Sequence, residues 1–141
     1  MTRRFIFLDI DGVLGHVGSG EKLDPTCIAE LDWLIERTDA EVILTSSWRD
    51  TFGLAETQKR LAAACFRGRL AGAAPCLPRG SRSDEIAAFL ASVTEPVRFA
   101  ILDDVAVDEH LQRNLVLVDD FVGLSGIDVR VALRILKCKC T

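Results

Sequence analysis

RFIFLDIDGVLG, residues 4–15, sets four consecutive apolar residues, Phe5, Ile6, Phe7 and Leu8, directly before Asp9 and Asp11. A strand with apolar residues at both parities is buried on both faces, as in a parallel sheet covered by helices on each side. Side chains alternate along a strand, so extended geometry continuing past Leu8 would point Asp9 and Asp11 the same way. Like charges so placed resist ionisation unless a cation or a reacting group compensates them. The stretch therefore predicts a central strand and, at its end, a chemical site.

The same design recurs along the chain. VILTSSWR (residues 42–49) is an apolar run that turns polar at Thr45, VRFAILDD (97–104) ends on Asp103 and Asp104, and NLVLVDD (114–120) ends on another acid pair. Helical patterns lie between them. Residues 23–38 carry Asp24 as an N-cap, Pro25 in the first turn and an apolar stripe through Ile28, Leu31 and Leu34. Residues 54–66 and 83–93 are helical by period, and Ser125 with Asp128 approximates a capping box before a last helix through Lys137. Residues 67–81, rich in glycine and proline, form a loop with one short strand near 69–72.

Strands alternating with helices predict an α/β fold: one Rossmann-like domain over residues 1–141, with three αβα layers and a mostly parallel central sheet. No repeat, linker or cap-sized insertion interrupts it. Ligands of such sheets gather at the carboxyl ends of the strands. Asp9/Asp11, Thr45/Ser46/Ser47 and Asp103/Asp104 are therefore expected to converge on one rim.

Bulk properties narrow the function. Of 141 residues, 49% are apolar and 27% charged, the balance of a globular protein rather than a disordered one. No apolar run reaches the ~20 residues a bilayer requires, and MTRRFIF is too short and uncleavable for a signal peptide. A cytoplasmic protein with no membrane partner is expected. Five cysteines, an odd number at irregular spacing, fit a reducing compartment, and Cys138 and Cys140 receive no role. The net charge of −4 excludes a wholly nucleic-acid-binding surface. Residues 49–82 nevertheless hold seven cations (Arg49, Lys59, Arg60, Arg67, Arg69, Arg79, Arg82) against Asp50 and Glu56. That segment either steers an anionic substrate or is a set of solvated charges.

Converging carboxylates and hydroxyls suit a hard divalent cation with oxygen ligands, Mg²⁺ above all. A carboxylate left partly free can attack phosphorus, and a second can protonate the leaving oxygen and then deprotonate water. The equatorial oxygens of the phosphoryl group need a hydroxyl, backbone N–H groups and an Arg or Lys. A Ca²⁺ loop is excluded, because its twelfth position, which requires Glu, is Gly20. Arg49 can contact substrate phosphate or pair with an acid. Trp48 reads as core or rim packing, and His16 as an incidental loop residue.

In this order, FLDIDGVL, VILTSSWR, RSDEIAAFL and AILDD resemble the four motifs of the haloacid dehalogenase-like (HAD) hydrolases. DGVL, SSWR, R-x-x-EI and DD…D…GL more closely resemble the small HAD domains also found in Swiss Army Knife RNA repair proteins. The resemblance implies Asp9 as nucleophile and metal ligand, and Asp11 as general acid/base with its backbone carbonyl on the metal. It implies Ser46, or Thr45 if the alignment slips by one, as the phosphoryl hydrogen-bond donor. Asp103 and Asp104 would complete the Mg²⁺ site, and Arg82 would fill the place of a basic residue that is usually Lys, with Arg79 as its rival. Ser47 and Arg49 would face substrate. No segment is long enough for a cap domain, which by this resemblance implies an exposed site for a large phosphorylated substrate such as a nucleic-acid end. The other class of protein compatible with these residues is a phosphoacceptor or partner-binding module resembling receiver domains.

Overall fold

The computed structural model describes residues 2–16, 18, 20 and 22–137. Five strands, β1 (Arg3–Leu8), β2 (Glu41–Leu44), β3 (Leu70–Ala73), β4 (Val97–Asp103) and β5 (Leu115–Leu117), form one sheet in the order β3-β2-β1-β4-β5. Every pairing is parallel. The helices are α1 (Pro25–Thr38), α2 (Trp48–Thr51), α3 (Gly53–Ala63), α4 (Arg82–Ala91) and α5 (Gly126–Lys137). The α/β, Rossmann-like architecture expected from the chain is thus observed, without a large cap.

Period-two alternation splits the strand residues into two cores. Ile6, Leu8, Val42, Leu44, Ala100 and Leu102 pack with Ile28, Leu31 and Leu34 of α1, Leu61 of α3 and Val129, Ala132 and Leu136 of α5. Phe5, Phe7, Ile43 and Ile101 pack on the other face with Ile86, Phe89 and Leu90 of α4 and with Val107 and Leu111. Phe89 meets both Phe5 and Phe7 edge-on, at 5.3 and 5.5 Å between ring centroids. Burial on both faces explains why β1 reads as an unbroken apolar run.

The capping signals hold. Asp24 accepts the Thr26 N–H at 2.8 Å ahead of α1. Ser81 and Asp84 exchange hydrogen bonds as a capping box at α4, and Ser125 and Asp128 do the same near the start of α5. Two elements differ from expectation. A four-residue helix, α2, follows β2 directly, and β4 reaches β5 through a 3₁₀ segment (Glu109–Asn114) rather than an α-helix. Both are shorter than any window in which helical periodicity can register.

Cys27, Cys65 and Cys76 are free thiols, while Cys138 and Cys140 lie outside the described residues. Among those residues, no helix is long and apolar enough to cross a membrane. The charges of the 49–82 segment are largely matched. Arg49 pairs with Glu85, Arg60 with Glu56, Arg67 with Asp32 and Glu36, and Arg82 with Asp9 and Asp103. Four of the seven cations are thus paired within the protein, which reduces the surplus that the sequence shows.

Candidate active site

The sheet order reverses direction between β1 and β4, where α/β sheets open a crevice beyond the strand ends. Leu8 pairs with Leu102, and the ladder continues one step as the Asp9 N–H reaches the Leu102 carbonyl at 3.0 Å. On the other side, the Thr45 N–H donates to the Leu8 carbonyl at 2.9 Å. Parallel register thus brings the ends of β1, β2 and β4 level, and their polar residues follow.

Asp9, Asp103 and Asp104 each present a carboxylate oxygen within 4.8 Å of the others. Asp9 is 6% exposed and Asp103 fully buried. Burial pushes the Asp9 carboxyl up to about 8; the neighbouring Asp103 charge adds to the shift and the Arg82 guanidinium opposes it. Burial likewise raises Asp103, again against Arg82. Three converging oxygens, two of them on buried acids that lack enough positive charge, are a donor set fit for a hard dication.

The Asp9/Asp11 geometry differs from the extended expectation. The strand stops at Leu8, and the Val13 and Leu14 N–H groups both fold back to the Ile10 carbonyl at 3.1 and 2.8 Å. Asp11 consequently leaves the line of the strand. Its carboxylate stays outside the three-acid cluster and accepts the Trp48 indole N–H at 3.1 Å. The metal role expected of Asp11 ran through its backbone carbonyl, so its side chain is available for other work. Gly12 follows at φ +79°, and a Cβ there would lie 2.3 Å from Asp104 Oδ2. Only glycine admits both that backbone and that carboxylate.

Arg82, the first residue of α4, places its Nη1 against Asp103 Oδ2 and 3.8 Å from Asp9 Oδ1. Arg79 is exposed in the preceding turn. Of the two rivals, Arg82 is the one in the cluster. Thr45 and Ser46 are both buried, but they are engaged differently. Ser46 Oγ accepts the Trp48 N–H at 3.2 Å, whereas Thr45 Oγ1 has no hydrogen-bond partner among the described residues. Ser47 is exposed. Arg49 gives its Nη2 to Glu85 Oε2 at 2.7 Å, so the ion pair is the role observed for it.

Two residues do more at the site than their sequence reading assigns them: Glu85, to which it gives no role, and Trp48, which it reads only as packing. Glu85 is buried, holds Arg49, accepts the Leu77 N–H at 3.1 Å and lies 3.9 Å from Arg82 Nε. The signal was there: an acid beside Ile86 on the inward face of a helix, three residues after Arg82. Trp48 is buried, as packing predicts, and it also binds Asp11. His16 bonds Asp24 Oδ2 at 2.7 Å. A cavity of about 610 Å³ opens beside the cluster, lined by Asp11, Asp104, Ser47, Trp48 and Phe52 among others.

A family model described as "HAD domain in Swiss Army Knife RNA repair proteins" matches residues 5–129. No curated protein and no solved structure matches the chain.

Proposed function

The chain belongs to the family of HAD domains in Swiss Army Knife RNA repair proteins, and on that premise we propose that it is a Mg²⁺-dependent phosphomonoester hydrolase acting through a phosphorylated Asp9. The observation that carries the proposal is the meeting of Asp9, Asp103 and Asp104 within 4.8 Å, with Arg82 against two of them.

In this reading the ionised Asp9 carboxylate attacks phosphorus and the ester bond breaks. The leaving oxygen takes a proton from Asp11. Water then attacks the phosphoryl group on Asp9 and passes a proton back to Asp11, which releases phosphate, frees the Asp9 carboxylate and returns Asp11 to its protonated form. Arg82 balances charge on the nucleophile and the phosphoryl oxygens; as a planar fork it can touch both, where a Lys would offer a single point. Of the two hydroxyls, Thr45 is the one we assign to the phosphoryl group, because its buried Oγ1 has no partner and needs one, while Ser46 Oγ already accepts the Trp48 N–H. Ser47, exposed at the mouth, meets substrate, and Arg49 contributes through Glu85. Asp9, Asp103, Asp104 and the Asp11 carbonyl would hold Mg²⁺, which supplies charge neutralisation at the phosphoryl group.

The substrate we propose is large and phosphorylated, a nucleic-acid end being the leading candidate, in a reducing cytoplasm. The uncapped rim supports this, since no large inserted domain covers it.

The test is direct. Asp9→Asn should lower turnover of p-nitrophenyl phosphate by more than about a thousandfold while its circular dichroism spectrum stays native-like. EDTA should abolish activity, with Mg²⁺ restoring it. Undiminished hydrolysis by Asp9→Asn defeats the mechanism.

A further inference from the structure

We infer that Trp48 is a positioning residue, its indole N–H holding the Asp11 carboxylate in the pose from which it protonates the leaving oxygen. The inference rests on the phosphatase reading above. Its physical basis is a contrast in mobility between two bonded partners. Asp11 is an exposed carboxylate on a turn, free by itself to rotate about its side-chain torsions. Trp48 is 4% exposed and fixed by several contacts. Its ring meets Phe52 edge-on at 5.1 Å, and Phe52 in turn lies under the Arg60 guanidinium at 3.8 Å. Its backbone N–H donates to Ser46 Oγ, and its carbonyl accepts the Phe52 N–H at 2.9 Å. A fixed donor bonded to a mobile carboxylate fixes the carboxylate.

The same bond decides which oxygen carries the proton. Indole N–H is a donor only, and it occupies Asp11 Oδ1 at 3.1 Å. A proton on Oδ1 would set two donors against each other, so the acid form carries it on Oδ2. Asp11, Trp48 and Asp104 line one cavity, so the acid and its clamp face the space beside the cluster where a leaving group can depart. As Asp9 attacks, the ester phosphorus–oxygen bond breaks, its electron pair goes to the leaving oxygen, and the Oδ2 proton follows.

Two phosphate esters separate this role from mere packing. An alkoxide is a poor leaving group and depends on the proton, whereas p-nitrophenolate departs without one. Trp48→Phe keeps an aromatic ring and removes the N–H. Measured as kcat/KM, which reports the step up to leaving-group departure, its loss on an alkyl phosphate should exceed its loss on p-nitrophenyl phosphate by about tenfold or more. In an Asp11→Asn background the same substitution should add almost nothing, because the two residues act as one unit. A third measurement is independent of catalysis. The chain has two tryptophans, so a ¹⁵N spectrum shows two indole signals, and Asp11→Asn should move one of them.

Equal losses on both esters, additive losses with Asp11→Asn, or unmoved indole signals would each overturn the role of Trp48 and leave the phosphatase reading standing. A wild-type chain that hydrolyses neither ester with Mg²⁺ overturns that reading, and the proton-transfer role falls with it.

Discussion

At the scale of single residues, the unusual feature is an acid that the fold makes reluctant to ionise. Asp9 is moved from 3.8 to about 8 by burial and by Asp103, against Arg82. A group whose folded pKa stands above its unfolded one favours folding while protonated, and that contribution is lost as pH rises through the folded value. In EDTA, the protein should therefore lose stability between about pH 4 and pH 8, by a few kcal/mol at the upper end. Asp103, raised in the same direction, adds to the trend. Asp9→Asn cannot ionise, so in EDTA at pH 8 it should melt several degrees above the wild type, and at pH 4 the two should nearly coincide. Mg²⁺ should stabilise the wild type more at pH 8 than at pH 5, since its ligands must be deprotonated. Thermal melts at these pH values check each statement; a wild-type Tm that holds steady from pH 5 to 8 contradicts them.

Two short elements determine how the site is held. α2 begins one residue after Ser47 and delivers Trp48 to Asp11 and Arg49 to Glu85. α4 begins on Arg82 and carries Glu85 one turn later, so a single helix start supplies both the basic group of the cluster and its neighbouring acid. Glu85 connects the two elements: it pairs with Arg49 and lies within 4 Å of Arg82. Both partners of the Arg49–Glu85 pair are nearly buried. Glu85→Gln keeps the shape but removes the counter-charge from a buried guanidinium, which costs on the order of 3 kcal/mol. Urea unfolding measures this, and a change below about 0.5 kcal/mol, the size expected of an ordinary surface substitution, would show that the pair is not what holds α2 to α4.

At the scale of the molecule, a parallel sheet places its reactive edge wherever its strands end, and here little stands over that edge. Between β1 and α1 the described residues contain only turns, and between α3 and α4 only the four residues of β3. A site so open should not discriminate against length. On the proposed function, an oligonucleotide bearing a terminal phosphate should show a kcat/KM at least equal to that of the matching mononucleotide. Because most cations of residues 49–82 are paired within the protein, its salt dependence should be shallow rather than the steep slope of a protein making many phosphate contacts. A strong preference for the mononucleotide would argue for a covering element or a second subunit above the rim.

Most of the architecture was legible in the chain because the signals are local. An apolar run of both parities marks a strand buried on both faces, and Asp24 before Pro25 marks where α1 begins. Three apolar runs ending in polar groups imply one shared polar rim once the sheet is parallel. The sequence by itself therefore determined the fold class, the rim and the acids on it. Tertiary structure decided what depends on contacts across the fold. It separated Asp11 from Asp9, because the turn at Ile10–Leu14 breaks the two-residue alternation that strand geometry assumes. It chose Arg82 over Arg79, since a helix start aims one side chain at Asp103 and leaves the other in solvent. It also joined Trp48 to Asp11 across 37 residues of chain. Neither residue type nor spacing encodes that bond, because a buried N–H takes whichever acceptor packing brings to it.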